Sequence, residues 1–190
     1  MKGRLRLAVA IAVVAALAVV VTTAIAGGGN DIRERLTGYE EDPAPISTLG
    51  TGKFHAWIDK SGHQIFYRLS YEGLEGTVTQ AHIHFGGRHQ SGGISVWLCV
   101  NRASVPPLTP PADTPECRDS TGSVSGTIDP ADVVGPVGQG IGLGQFDELV
   151  AAIRAGVTYA NVHSTTYPGG EIRAQLERGR HDWDAHLAKR

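Results

Sequence analysis

Along most of the chain, apolar and polar residues alternate with a period of two over short runs, the spacing of half-buried strands. Eight runs, 34–39, 50–58, 64–71, 77–85, 94–100, 120–128, 158–164 and 171–177, are alternating or β-branched and bounded by turn residues. Asp59-Lys60-Ser61-Gly62 has the composition of a hairpin connection, because Gly takes the positive φ that such turns need. The period changes once. Phe146, Leu149, Val150 and Ile153 recur at helical spacing, Asp147 and Glu148 sit in the first turn, Arg154 in the last, and Gly156 follows as a stop. Asp129 before Pro130 marks a further helical turn, an N-cap residue ahead of Pro at the first position. The pattern predicts an all-β fold, an antiparallel Greek-key β-sandwich or barrel of about eight strands, with one surface helix near 145–155 packed over it.

The N-terminus has a different pattern. Lys2, Arg4 and Arg6 precede an apolar stretch from Leu7 to Ala26 broken only by Thr22 and Thr23, which closes on Ala24-Ile25-Ala26. This reads as a secretory signal cleaved after Ala26, or as an uncleaved signal anchor of about 20 residues. On either reading the rest is exported, and a membrane contact is expected only through that segment. Residues 27–35 read as a linker, 36–177 as one domain and 178–190 as a charged tail. Trp183, His181 and His186 fall in the tail.

Without the three N-terminal cations, 14 basic residues face 19 acidic ones, a net charge near −5. No basic stripe survives in the sequence, so no nucleic-acid partner is expected. Cys99 and Cys117 suit an oxidising compartment, where a bridge would close a Pro-rich loop of about 19 residues and contribute roughly 3 kcal/mol. They are not spaced as CxxC, so a thiol catalyst is not expected. The Gly-rich run 135–144 carries no Lys at phosphate-loop spacing, which argues against a nucleotide site. Trp57 and Trp97 are mid-strand and expected to pack in the core or at a barrel end.

The candidate chemistry is histidine. In AHIHFGG (81–87), His82 and His84 share one strand face, with Cβ atoms about 7 Å apart. In NVHSTTYPGGEIRAQL (161–176), His163 repeats the alternation. The three imidazoles form a candidate copper or zinc site if their strands are neighbours. Asn161, Glu171 and Arg173 would surround it, with Glu171 placed to orient His163. On the alternative reading the histidines only hydrogen-bond strand ends, and Glu171 pairs with Arg173 to order the turn 167–170. The distant third His also resembles the arrangement of Cu/Zn superoxide dismutase, itself a Greek-key barrel. His55, His63 and His89 do not supply that enzyme's remaining ligand spacing.

Five blocks in order, LTGYEEDPAP (36–45), AHIHFGG, GTIDPADVVGP (126–136), FDELVAAIRAG (146–156) and NVHSTTYPGGEIRAQL, resemble the CHRD domain, a module named after chordin. The resemblance departs at Ala174, at 42–45 and in the Cys99–Cys117 insertion. It implies an immunoglobulin-like β-barrel and no assigned activity, since a fold does not carry a function with it. The expected function is therefore an exported, non-enzymatic binding or structural module at the cell surface, its partner an extracellular protein or cell-envelope ligand. The alternative is a metalloprotein using His82, His84 and His163, at its extreme a copper-dependent redox enzyme of superoxide-dismutase type.

Overall fold

The computed structural model describes residues 30–104 and 109–178. The strands are β1 (Asp31–Thr37), β2 (Thr51–Ile58), β3 (Ile65–Glu72), β4 (Val78–Phe85), β5 (Gly93–Val100), β6 (Gly122–Ile128), β7 (Thr158–Ser164) and β8 (Ile172–Gln175), with one helix, α1 (Phe146–Arg154). They form a single antiparallel sheet in the order β5-β4-β7-β8-β1-β2-β3-β6, whose two edge strands approach each other and nearly close a barrel. This is the eight-stranded antiparallel architecture that the alternation predicts.

The alternation sets which side of each strand faces inward. In β2, Phe54, Ala56 and Ile58 are buried while Lys53, His55 and Trp57 point out; β3 matches with Ile65, Tyr67, Leu69 and Tyr71. Ile83, Leu98, Val124, Val162 and Ile172 complete the interior. Tyr67 crosses it and donates its hydroxyl proton to the Leu98 carbonyl at 2.7 Å, so the only polar atom on that ring is satisfied. The helix α1 lays Phe146, Leu149, Val150 and Ile153 against the core and stops at Gly156, whose φ of +71° suits glycine. The turn Pro130–Asp132 is a capped 3₁₀ turn: Ala131 N–H donates to Asp129 at 2.8 Å and Asp129 N–H to Asp132 at 2.9 Å. In the β2–β3 hairpin, Asp59 accepts from the backbone of His63 and Gln64, and Gly62 takes φ +75°.

Several expectations shift. The first strand starts at Asp31, inside the stretch read as a linker, because Ile32 and Leu36 alone carry the buried side of a mostly charged strand. Arg178, read as part of the tail, bridges to Ile32. Trp57 is 42% exposed rather than packed, stacking on Phe66 at 5.5 Å. Cys99 and Cys117 are joined by a disulfide that ties β5 to the connection before β6. The signal or anchor segment, Pro106, Pro107 and the tail beyond Arg178 lie outside the described residues. Among the described residues no helix is long and apolar enough to cross a membrane.

Candidate metal centre

Pairing of β4, β7 and β8 decides what the histidines meet. His82 lies opposite Asn161, which lies opposite Arg173; His84 lies opposite Tyr159, which lies opposite Gln175; Gln80 lies opposite His163. The intervening residues Ala81, Ile83, Ala160, Val162, Ile172 and Ala174 face the core. The polar residues therefore occupy the outer wall of the barrel, yet they are not solvated: His82 is 0%, His84 8% and His163 7% exposed. Three connections cover them, namely the segment before β2, the β4–β5 loop and the β7–β8 turn.

The cover is stitched down by hydrogen bonds. Arg173 donates to the carbonyls of Gly87 and Gln90, and Gln175 donates to those of Gly86 and Gly156. Asn161 donates to both carboxylate oxygens of Glu41, at 2.8 and 3.0 Å. Above them Arg88 bridges Glu40 and Glu177 at 2.6 and 2.7 Å, and Ser91 donates to Asp42. Gly170 has to be glycine: its φ is +133°, and a Cβ there would sit 2.5 Å from Asn161 Nδ2 and 2.8 Å from Glu41.

Two irregularities in the β4–β5 ladder, at Ala81/His82 and Ile83/His84, flank both histidines of β4. Bulges of this kind re-aim side chains. The rings converge: His82 and His163 centroids are 5.1 Å apart, His82 and His84 5.2 Å, His84 and His163 6.1 Å.

Backbone carbonyls settle the tautomers of two rings. A carbonyl only accepts, so the 2.9 Å contacts of His84 Nδ1 with Gly92 O and of His163 Nδ1 with Pro168 O put the proton on Nδ1 in both. Each Nε2 then carries an unprotonated lone pair that can only accept. His163 Nε2 meets His82 Nδ1 at 3.3 Å and accepts its proton, which leaves His82 Nε2 unprotonated as well. His82 Nε2 and His84 Nε2 are buried without a hydrogen-bond partner among the described residues. Burial pushes the His84 and His163 pKa values down to about 4, and burial reinforced by its two neighbours pushes that of His82 well down too. All three rings are neutral at pH 7, the form that ligates metal.

One nitrogen from each ring lies within 4.8 Å of the other two, and among the described residues this is the one such cluster of His, Cys, Asp or Glu ligand atoms. A tetrahedral ion with bonds of about 2.0–2.1 Å holds its ligand nitrogens roughly 3.4 Å apart. The contact between His82 Nδ1 and His163 Nε2 has that spacing, so binding an ion through these two atoms requires the Nδ1 proton of His82 to move to its Nε2 or leave, and the rings to draw closer than the 4.8 Å limit within which the three ligand atoms lie. Three neutral imidazoles, two of them fixed through Nδ1 by carbonyls, fit a borderline cation such as zinc or copper.

The neighbours take roles other than those expected. Glu171 does not reach His163; its Oε1 accepts from Thr48 Oγ1 and Glu75 N–H, both at 2.8 Å, and the Pro168 carbonyl orients His163 instead. Nor does Glu171 pair with Arg173, whose guanidinium lies 3.5 Å over the Tyr159 ring, which in turn stacks on His84 at 4.8 Å. Trp97 closes the other side, edge-on to His82 at 4.3 Å. Sequence reasoning did not find Glu41, Trp97 or Tyr159 as neighbours of the site. Tyr159 stands two residues before Asn161 on one strand face, a signal that was available. Burial, partly offset by the Arg173 charge, raises the Glu41 pKa to about 8.

The fold and site together define an exterior-wall cluster of three buried histidines on an antiparallel β-barrel. The family model of the CHRD domain matches residues 32–176, and the chain belongs to that family. Comparison with curated proteins and with solved structures gives no match.

Proposed function

We propose that this CHRD domain is an exported, non-enzymatic binding module whose ligand is a single zinc or copper ion held by His82, His84 and His163. The observation that carries the reading is that backbone carbonyls fix the Nδ1 protons of His84 and His163, so that their Nε2 lone pairs converge with His82 in one buried cluster. His82 Nε2 and His84 Nε2 have no hydrogen-bond partner among the described residues, and a bound ion would supply one where a buried polar atom left alone costs roughly 1–3 kcal/mol. A single ligand cluster supports simple metal holding over a bridged two-metal redox centre. Export is supported by the apolar N-terminal segment and by the disulfide.

The test is metal analysis and calorimetric titration of protein purified without a histidine tag, beside His82→Ala/His84→Ala and the milder His163→Gln. One equivalent of zinc or copper(II) should bind the wild type, with loss in both variants and quenching of Trp97 fluorescence when copper(II) binds. Equal metal content in wild type and folded variants would sink the reading.

A further inference from the structure

We propose that the outer face of β1, β2, β3 and β6 is a binding site for an acidic polysaccharide. No run of basic residues exists in the sequence, but strand pairing builds a basic surface. Arg33 pairs in register with His55, which pairs with Arg68; Arg35 pairs with Lys53. In an antiparallel sheet these positions lie about 4.8 Å apart across strands and about 6.8 Å apart along them. Four permanent cations thus share one patch with two carboxylates, Asp31, bound to Arg33 and His55, and Glu72 at the end of β3. Arg35, Lys53 and Arg68 have no ion pair among the described residues, while the chain beyond the N-terminal segment is acidic overall. The face therefore carries a net positive charge on a negative molecule, complementary to a polyanion.

The chemistry around the cations selects the kind of polyanion. Ser70, Ser123 and Ser125 interleave with them in register, offering hydroxyls for sugar hydroxyls. A groove of about 540 Å³ continues the patch, lined by Arg35, Lys53, Ser70 and Glu72 with Thr51 and Thr121, a polar wall that suits a sugar chain. Trp57 and Phe66 close the far end, but they stack on each other at 5.5 Å, so their facing surfaces are not free to receive bases. Two half-exposed aromatic rings are also far less apolar surface than an interfacial membrane face presents.

The experiment is affinity electrophoresis of the full-length, untagged protein through gels containing polygalacturonate or neutral dextran, with Lys53→Ser/Arg68→Ser alongside. Both positions are exposed, so the variant should keep its thermal midpoint. The wild type should be retarded by polygalacturonate and not by dextran, the retardation should weaken with added salt, and the double variant should bind about tenfold more weakly, the effect of two exposed charge contacts. Equal retardation of wild type and variant, equal retardation in dextran, or binding only to phosphatidylglycerol vesicles or to an oligonucleotide would each overturn the proposal. The metal ligands lie on the opposite half of the sheet, so failure here leaves the metal reading untouched.

Discussion

Metal-free protein should be most stable near pH 6.5 and lose stability on both sides, because two sets of buried groups titrate in opposite senses. Glu41 holds its proton to about pH 8 in the folded chain against an ordinary value of 4.5, so between those values the folded state binds more protons than the unfolded one. Its contribution therefore declines as pH rises through that window. His84 and His163 titrate near 4 when folded against 6.5 when unfolded, so there the unfolded chain binds more protons. Their contribution reaches its plateau about one pH unit above 6.5 and is lost as pH falls toward 4.

The magnitudes follow at about 1.4 kcal/mol per pKa unit. From pH 6.5 to 8 Glu41 removes roughly 1.7 kcal/mol while the last deprotonation of the unfolded histidines returns roughly 0.8, a net loss of about 1. From pH 6.5 down to 4.5 the two histidines remove about 4 kcal/mol while Glu41 restores about 2, a net loss of about 2. His82, also pushed down by burial, steepens this acid side. Urea midpoints measured with chelator present across pH 4.5 to 8 give the curve directly. Glu41→Gln should abolish the alkaline decline while leaving the acid one. A wild-type midpoint that stays level or rises between pH 6.5 and 8, or a Glu41→Gln protein that keeps the decline, would refute the reasoning.

Two further outcomes probe the scaffold. Cys99→Ser/Cys117→Ser should lower stability by about 3 kcal/mol through release of the closed loop, seen as a fall in thermal midpoint that a reductant reproduces in the wild type. Gly170→Ala should cost about 2 kcal/mol or more, since its Cβ collides with Asn161 and Glu41 and its φ of +133° strains any other residue; an unchanged urea midpoint would count against the tight cover over the site.

Strand positions were legible because a period of two survives wherever one face meets the core: Phe54, Ala56 and Ile58 announce β2 without help. The same rule correctly placed His82, His84 and His163 on the polar side. It misjudged what that side meets. Alternation distinguishes core from non-core faces, but a non-core face is solvated only if nothing folds over it, and the covering segments 38–50, 86–92 and 165–170 carry no periodicity. Glu171 illustrates the consequence. Its spacing from Arg173 suggested an ion pair, whereas Thr48 of the first of these segments and the Glu75 backbone of the β3–β4 connection take its carboxylate.

The partners that matter most to the metal reading are backbone atoms. Gly92 O and Pro168 O hold the Nδ1 protons of His84 and His163, and every residue except Pro offers the same donor and acceptor pair. No side-chain pattern can therefore reveal them; only the path of the two loops can. Three histidines at strand spacing make a metal site conceivable, and the loops' carbonyls turn it into a definite arrangement of lone pairs. For this reason loop substitutions that keep every histidine, such as replacement of Gly92 or Pro168, should weaken metal affinity by letting the imidazoles change tautomer and direction.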